Sequence, residues 1–327
     1  MSNPEKIYGV ADKAWQIVVG CDPHMKCAPR CWARKTVARV VECQKPQHPE
    51  RARLFQIALT PDGKQWSGNV FLDDAHLTDP LRWRKPALIA TGFHGDWGRL
   101  QPNDMLAILQ QVGKCPQHRF LLLSKQPDRV FEFLWDRRWI NLERTGKHQD
   151  FLNASLGFSI MDQADADRMR AYVKMLDALG WATHVWHEPA IGPVNWRGWE
   201  FLRGMIMGYE SGSQARPGHP QWARDTRDWC VAHGVPFNFK QWGEWAEHPG
   251  KPVAGTNNGA GVYVLPNGRL GCQGDYWARV AAGMDRVGKR NSGRLLDGRT
   301  WDEVPAFHAA DAAASAGRAA QCVEARP

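Results

Sequence analysis

Short apolar runs that end in polar or charged residues, each followed by a stretch of helical character, recur along most of the chain and leave it few folds to adopt. The strand candidates are residues 17–20, 54–59, 87–92, 120–123, 153–158, 183–186, 204–207 and 237–239, and the helix candidates between them include 102–112, 127–137, 165–179 and 220–233. Strands alternating with helices build a parallel sheet. Seven or eight such steps with right-handed crossovers close, or nearly close, that sheet into a barrel. The expected fold class is therefore α/β, a (βα) barrel, partial or full and TIM-like; an open doubly wound sheet is the alternative, because strand order is invisible in sequence.

Composition changes after about Trp245: from His248 to Gly274 glycine and asparagine become frequent and periodicity fades. The expected organisation is a barrel over 1–247 and a loop-rich C-terminal extension over 248–327 packed on it, with the alanine-rich 306–327 as a short helix or frayed tail. No run of about 18 apolar residues exists for a membrane span, and Met1 to Lys6 lacks the basic-then-apolar order of a signal peptide. The chain reads as a soluble cytoplasmic protein. A formal charge of +8 suggests an anionic partner such as nucleic acid, and the 17 tryptophans fit base stacking or simply core and cleft filling.

Cys21, Cys27 and Cys31 sit directly after the first strand candidate and before a basic helix-like stretch from Trp32 to Val41. Three clustered thiolates can hold three irons of a [4Fe-4S] cluster and leave the fourth open for a small molecule, or supply most of a tetrahedral zinc shell with His24 as the fourth ligand. Their spacing, five intervening residues and then three, fits neither zinc ribbons nor fingers. Iron-sulfur, zinc and uncoordinated thiols are the three readings. Cys43, Cys115, Cys230, Cys272 and Cys322 are scattered singly and read as packed or surface thiols.

In a parallel barrel the carboxyl ends of the strands form one mouth, where sites are built. Those ends carry Cys21, His94 and Asp96, Ser124 and Lys125, Ser159, Glu188, Glu210 with Ser211, and Lys240 with Gln241. Lys125 and Lys240 opposite Asp96, Glu188 and Glu210 is the balance expected around a zwitterionic or anionic small molecule. The run Gly208-Tyr209-Glu210-Ser211-Gly212 lacks the Gly-Lys-Ser/Thr of a phosphate loop, and reads as a tight turn beside a ligand.

The order of motifs resembles the phage three-cysteine-motif family, a radical-SAM-like group of phages and prophages. The resemblance runs through Cys31-Trp32-Ala33, Gly95-Asp96-Trp97, Leu123-Ser124-Lys125-Gln126-Pro127, Leu156-Gly157-Phe158-Ser159, Glu188-Pro189, Gly208-Tyr209-Glu210-Ser211-Gly212, Lys240-Gln241-Trp242-Gly243-Glu244-Trp245 and Leu296-Asp297-Gly298. It implies a radical-SAM-type barrel in which Cys21, Cys27 and Cys31 ligate a [4Fe-4S] cluster and the open iron chelates S-adenosylmethionine. It also implies a 5'-deoxyadenosyl radical that abstracts hydrogen from an unactivated carbon, supplied with electrons by an external donor. On that reading Ser159, Glu188 and Glu210 are cofactor-binding residues, and Asp96, Lys125 and Lys240 are catalytic. Phage context, basic charge and tryptophan content then favour a nucleic-acid base as substrate, a hypermodified thymidine isomerised during DNA modification, in the host cytoplasm. A zinc-stabilised nucleic-acid-binding protein without catalysis is the alternative.

Overall fold

The computed structural model describes residues 9–42, 49–136, 151–248, 261–271 and 281–307. Its strands are β1 (Lys13–Ala14), β2 (Val18–Val19), β3 (Phe71–Leu72), β4 (Leu88–Thr91), β5 (Arg119–Ser124), β6 (Ala154–Ser159), β7 (Ala182–His187), β8 (Met205–Gly208) and β9 (Phe237–Gln241), followed by β10 (Trp245–Glu247), β11 (Gly261–Val264), β12 (Leu270–Gly271) and β13 (Ala282–Arg286). Seven of these form one sheet in the order β1-β4-β5-β6-β7-β8-β9. Its registered pairs are parallel, as in Leu88↔Arg119, Leu121↔Ser155 and Met205↔Phe237. Every residue of β4, β6, β7, β8 and β9 is buried, as in a parallel sheet covered on both faces. The order ends in two edges, β1 and β9, so the fold is the partial form of the (βα) barrel.

Two strand expectations are corrected. Residues 54–59 are not a strand: α1 (Trp32–Glu42) is followed by α2 (Pro49–Ile57), and Leu59 after it makes only an isolated antiparallel bridge with Trp66. Proline at the first helical position and a run of good helix formers set that helix. Only Phe55 of the apolar residues in 54–57 is buried, against Val37, Ala33 and Trp66. The first sheet strand is also not 17–20. Lys13 and Ala14 pair with β4, whereas Val18 and Val19 pair antiparallel with β3.

The helices α3 (Asp79–Arg82), α4 (Pro102–Gly113), α5 (Pro127–Trp135), α6 (Gln163–Ala178), α7 (Pro220–Ala232) and α8 (Lys289–Ser292) complete the list. In α4, Met105, Ile108, Leu109 and Val112 are buried, the spacing of a single apolar face. Prolines 102, 127 and 220 each open a helix where their missing N–H is not needed, and Gly180 and Gly234 end α6 and α7 with positive φ. Among the described residues no helix is long and apolar enough to cross a membrane.

The chain divides into two compact units, Met1–Phe158 with Ala171–Thr183, and Ser159–Arg170 with His184–Pro327. The second contains a four-stranded antiparallel sheet, β10-β13-β11-β12, so part of the glycine- and asparagine-rich region forms regular structure. Residues 308–327 of the expected tail, with Cys43, Cys272 and Cys322, lie outside the described residues.

Candidate metal centre

The cysteine loop begins at Gly20. Its φ is +105°, and a Cβ there would lie 2.0 Å from the carbonyl oxygen of Asn69, so only glycine makes the turn out of β2. The Gly20 N–H donates to the His94 carbonyl at 3.0 Å, and its carbonyl accepts from the Asp96 N–H at 3.1 Å. These bonds fix Cys21 beside the segment that follows β4. Within the loop Cys27 precedes a 3-10 turn, Ala28–Arg30. Cys31 stands at the start of α1, where its Sγ accepts the Arg34 N–H at 3.5 Å, satisfying one of the helix's open donors. Asp22 pairs with Arg99 at 2.9 Å and holds the loop from outside.

Cys21, Cys27 and Cys31 are thiols, not disulfides, and half-buried. All three line one cavity that opens to solvent, together with Trp66, His94 and Lys125. His24, the expected fourth zinc ligand, is exposed and is not among the lining residues. Among the described residues no three His, Cys, Asp or Glu side chains converge as a single ion requires. A cubane cluster makes a different demand, because each thiolate binds a separate iron at its own corner. Two lining residues have buried polar atoms without a partner, Trp66 Nε1 and His94 Nδ1, and such atoms are what a bound group satisfies. The donor set, the open space and the orphaned atoms fit an iron-sulfur cluster.

Electrostatics in the cavity centre on Lys125. Burial opposes its charge, but Cys27 and Cys21 when ionised, with Asp96 and Cys31, outweigh burial and hold the ammonium above the usual lysine range. Burial pushes the Cys21 thiol up to about 12 against the pull of Lys125, so ligation there has to displace a proton. Burial and the nearby Arg51 guanidinium lower His94 to about 4, which keeps it neutral near pH 7.

Asp96, expected as a catalytic group, is 2% exposed and fully engaged. Its Oδ1 accepts from Ser124 Oγ at 2.6 Å and the Gly98 N–H at 3.1 Å, and its Oδ2 accepts from the Lys125 N–H at 2.9 Å. The carboxylate is a joint between the ends of β4 and β5. Gly98 lacks a Cβ because one would meet Ser124 Oγ at 2.4 Å.

In the second unit, Lys240 Nζ bonds both carboxylate oxygens of Glu188, at 2.5 and 2.7 Å, and lies 5.3 Å from the Trp186 ring centroid. Burial lowers the Lys240 ammonium while Glu188 supports its charge. Glu210 is bound by the guanidinium of Arg216 and by its N–H, the latter at 2.9 Å. Ser159 is buried at the end of β6. Of the expected charged strand-end residues, Glu188 is thus paired with Lys240 and Glu210 with Arg216, while Asp96 binds the Lys125 backbone N–H. Arg216, six residues past Glu210, was not among the candidate site residues.

The family described as "Protein of unknown function (DUF5131)" matches residues 7–305. The chain belongs to that family. The match takes in the cysteine loop, the Asp96 joint and both ion pairs, so these are features of a DUF5131 protein. No curated protein matches the chain. Three solved structures of spore photoproduct lyase align with it. A cysteine-to-serine mutant does so at 10% identity and a TM-score of 0.36, over 60% of this chain and 55% of that one. The complex with dinucleoside spore photoproduct aligns at 12% and 0.35, over 61% and 55%. A tyrosine-to-phenylalanine mutant aligns at 11% and 0.38, over 84% and 68%. The chain thus spans little more than half the length of the first two, 55% of each.

Proposed function

We propose that this DUF5131 protein is a radical S-adenosylmethionine enzyme whose cluster is held by Cys21, Cys27 and Cys31. The observation that carries the reading is that three cysteine thiols from one loop line a single open cavity. Three thiolates and a remaining open iron are what a cluster needs in order to bind a small molecule; a closed zinc shell needs four converging ligands. When bound, the cluster and S-adenosylmethionine supply a 5'-deoxyadenosyl radical able to take hydrogen from an unactivated carbon.

The protein's own contribution is placement. Gly20 and Asp96 set the two ends of the pocket relative to each other through the 3.0, 3.1 and 2.9 Å bonds described above. Trp66 and the core cluster of Val19, Ala33, Val37 and Phe55, against which Cys21 and Cys31 pack, keep water from one side of the thiols. For the substrate we propose a modified nucleobase, a hypermodified thymidine undergoing rearrangement. Its support is the net charge of +8 and the basic run of Lys26, Arg30, Arg34, Lys35 and Arg39 through and after the cysteine loop.

The test is anaerobic reconstitution with iron and sulfide, followed by counting both per chain. About four irons with matching labile sulfide, lost in Cys21→Ala, Cys27→Ala and Cys31→Ala alike, are expected. Uptake of one zinc and no iron, or iron retained in all three variants, would overturn the assignment.

A further inference from the structure

The cavity's charge is asymmetric. Among the described residues that line it, three are thiols that ligate as anions and Lys125 alone has a cationic side chain, since His94 is neutral. Two neighbouring guanidiniums are already paired, Arg99 with the lining residue Asp22 at 2.9 Å and Arg51 with Asp73 at 3.0 Å. Lys125 is also held firmly. Its N–H is bonded to Asp96 Oδ2, Asp96 in turn is bonded to Gly20, the residue before Cys21, and Ser124 Oγ closes the joint. The backbone that carries the lysine and the backbone that starts the cysteine loop are therefore tied through one residue, Asp96, by its carboxylate on one side and its N–H on the other.

We infer that Lys125 is the outer electrostatic residue of the centre, a fixed cation that stabilises the added negative charge when the cluster in this pocket is reduced. The inference rests on the proposed cysteine-ligated cluster. One electron from an external one-electron donor adds one unit of negative charge, with no bond made or broken, and a nearby cation in a partly desolvated pocket favours that uptake. Lys240 has no such role, because its ammonium is neutralised by Glu188. A lysine kept only for packing would leave the reduction equilibrium unchanged when exchanged for methionine.

The experiment is a redox titration, monitored by electron paramagnetic resonance, of the anaerobically reconstituted full chain, with iron counted in each sample. Wild type is compared with Lys125→Met, Lys125→Gln and Lys125→Arg. Both neutral variants are expected to shift the reduction equilibrium at least tenfold toward the oxidised state, about 59 mV more negative for one electron, with Lys125→Arg staying near wild type. Equal potentials across the set, with iron retained, would overturn the role of Lys125 and leave the cluster assignment standing. Wild-type protein that takes up no iron-sulfur cluster would overturn both.

Discussion

The backbone N–H of Lys125 donates to Asp96 Oδ2 at 2.9 Å, and this one bond makes the position of a cavity cation depend on a carboxylate that is not among the residues lining the cavity. Asp96→Asn replaces an oxygen by an N–H₂ group and leaves one of three donors unmatched. It should cost about 1–3 kcal/mol of stability in urea denaturation and reduce the iron retained after reconstitution. Ser124→Ala, which removes a single donor, should cost about 1 kcal/mol. A denaturation midpoint unchanged in Asp96→Asn would contradict the joint.

Gly20 and Gly63 make a controlled comparison. Both have positive φ, +105° and +66°, but a Cβ at Gly20 would collide with the Asn69 carbonyl at 2.0 Å, whereas nothing lies within 4 Å of one at Gly63. Gly63→Ala should cost about 1–2 kcal/mol, the left-handed penalty alone. Gly20→Ala should cost about 3 kcal/mol or more and disorder the loop that follows. Similar losses for the two, read from melting curves, would remove the steric argument.

The Glu188–Lys240 pair is buried, with side-chain exposures of 14% and 6%. Removing one partner strands a desolvated charge, so Glu188→Gln or Lys240→Met alone should destabilise by about 3–5 kcal/mol. The double variant should recover most of that loss, because the attraction in a desolvated pair is offset by the cost of burying it. A double variant as unstable as the sum of the singles would show that the two residues act independently.

Acid should weaken the fold before carboxylates titrate. Burial lowers His184 to about 3 and lowers His187 and His94 to about 4, from an ordinary value of 6.5. Below 6.5 the unfolded chain takes up protons that the folded chain refuses, so the stability these groups contribute is complete above 6.5 and falls as pH drops toward 4. The urea midpoint should therefore decrease from pH 7 to pH 5. A midpoint that is flat or rises over that interval would contradict the buried neutral histidines.

Most of the sheet was legible because its strands are buried on both faces and read as unbroken apolar runs, as in Leu121-Leu122-Leu123 and Met205-Ile206-Met207. β1 was not, since Lys13-Ala14 is two residues long and carries a charge. Leu54 and Ile57 misled in the other direction: they are apolar but sit on α2, with Ile57 41% exposed. At the site, three cysteines in one short stretch announced themselves. The partners of the charged strand ends did not, because Asp96 with Lys125 and Glu188 with Lys240 are joined by tertiary contacts across 29 and 52 residues. A carboxylate at a strand end looks the same in sequence whether it awaits a ligand or is already bonded within the protein.

The most direct measurement is dithionite-dependent formation of 5'-deoxyadenosine from S-adenosylmethionine by the anaerobically reconstituted protein, with Cys27→Ala as control. The radical-enzyme reading predicts 5'-deoxyadenosine from wild type and none from the variant. A reconstituted cluster that yields no 5'-deoxyadenosine, or equal yields from both proteins, would contradict it.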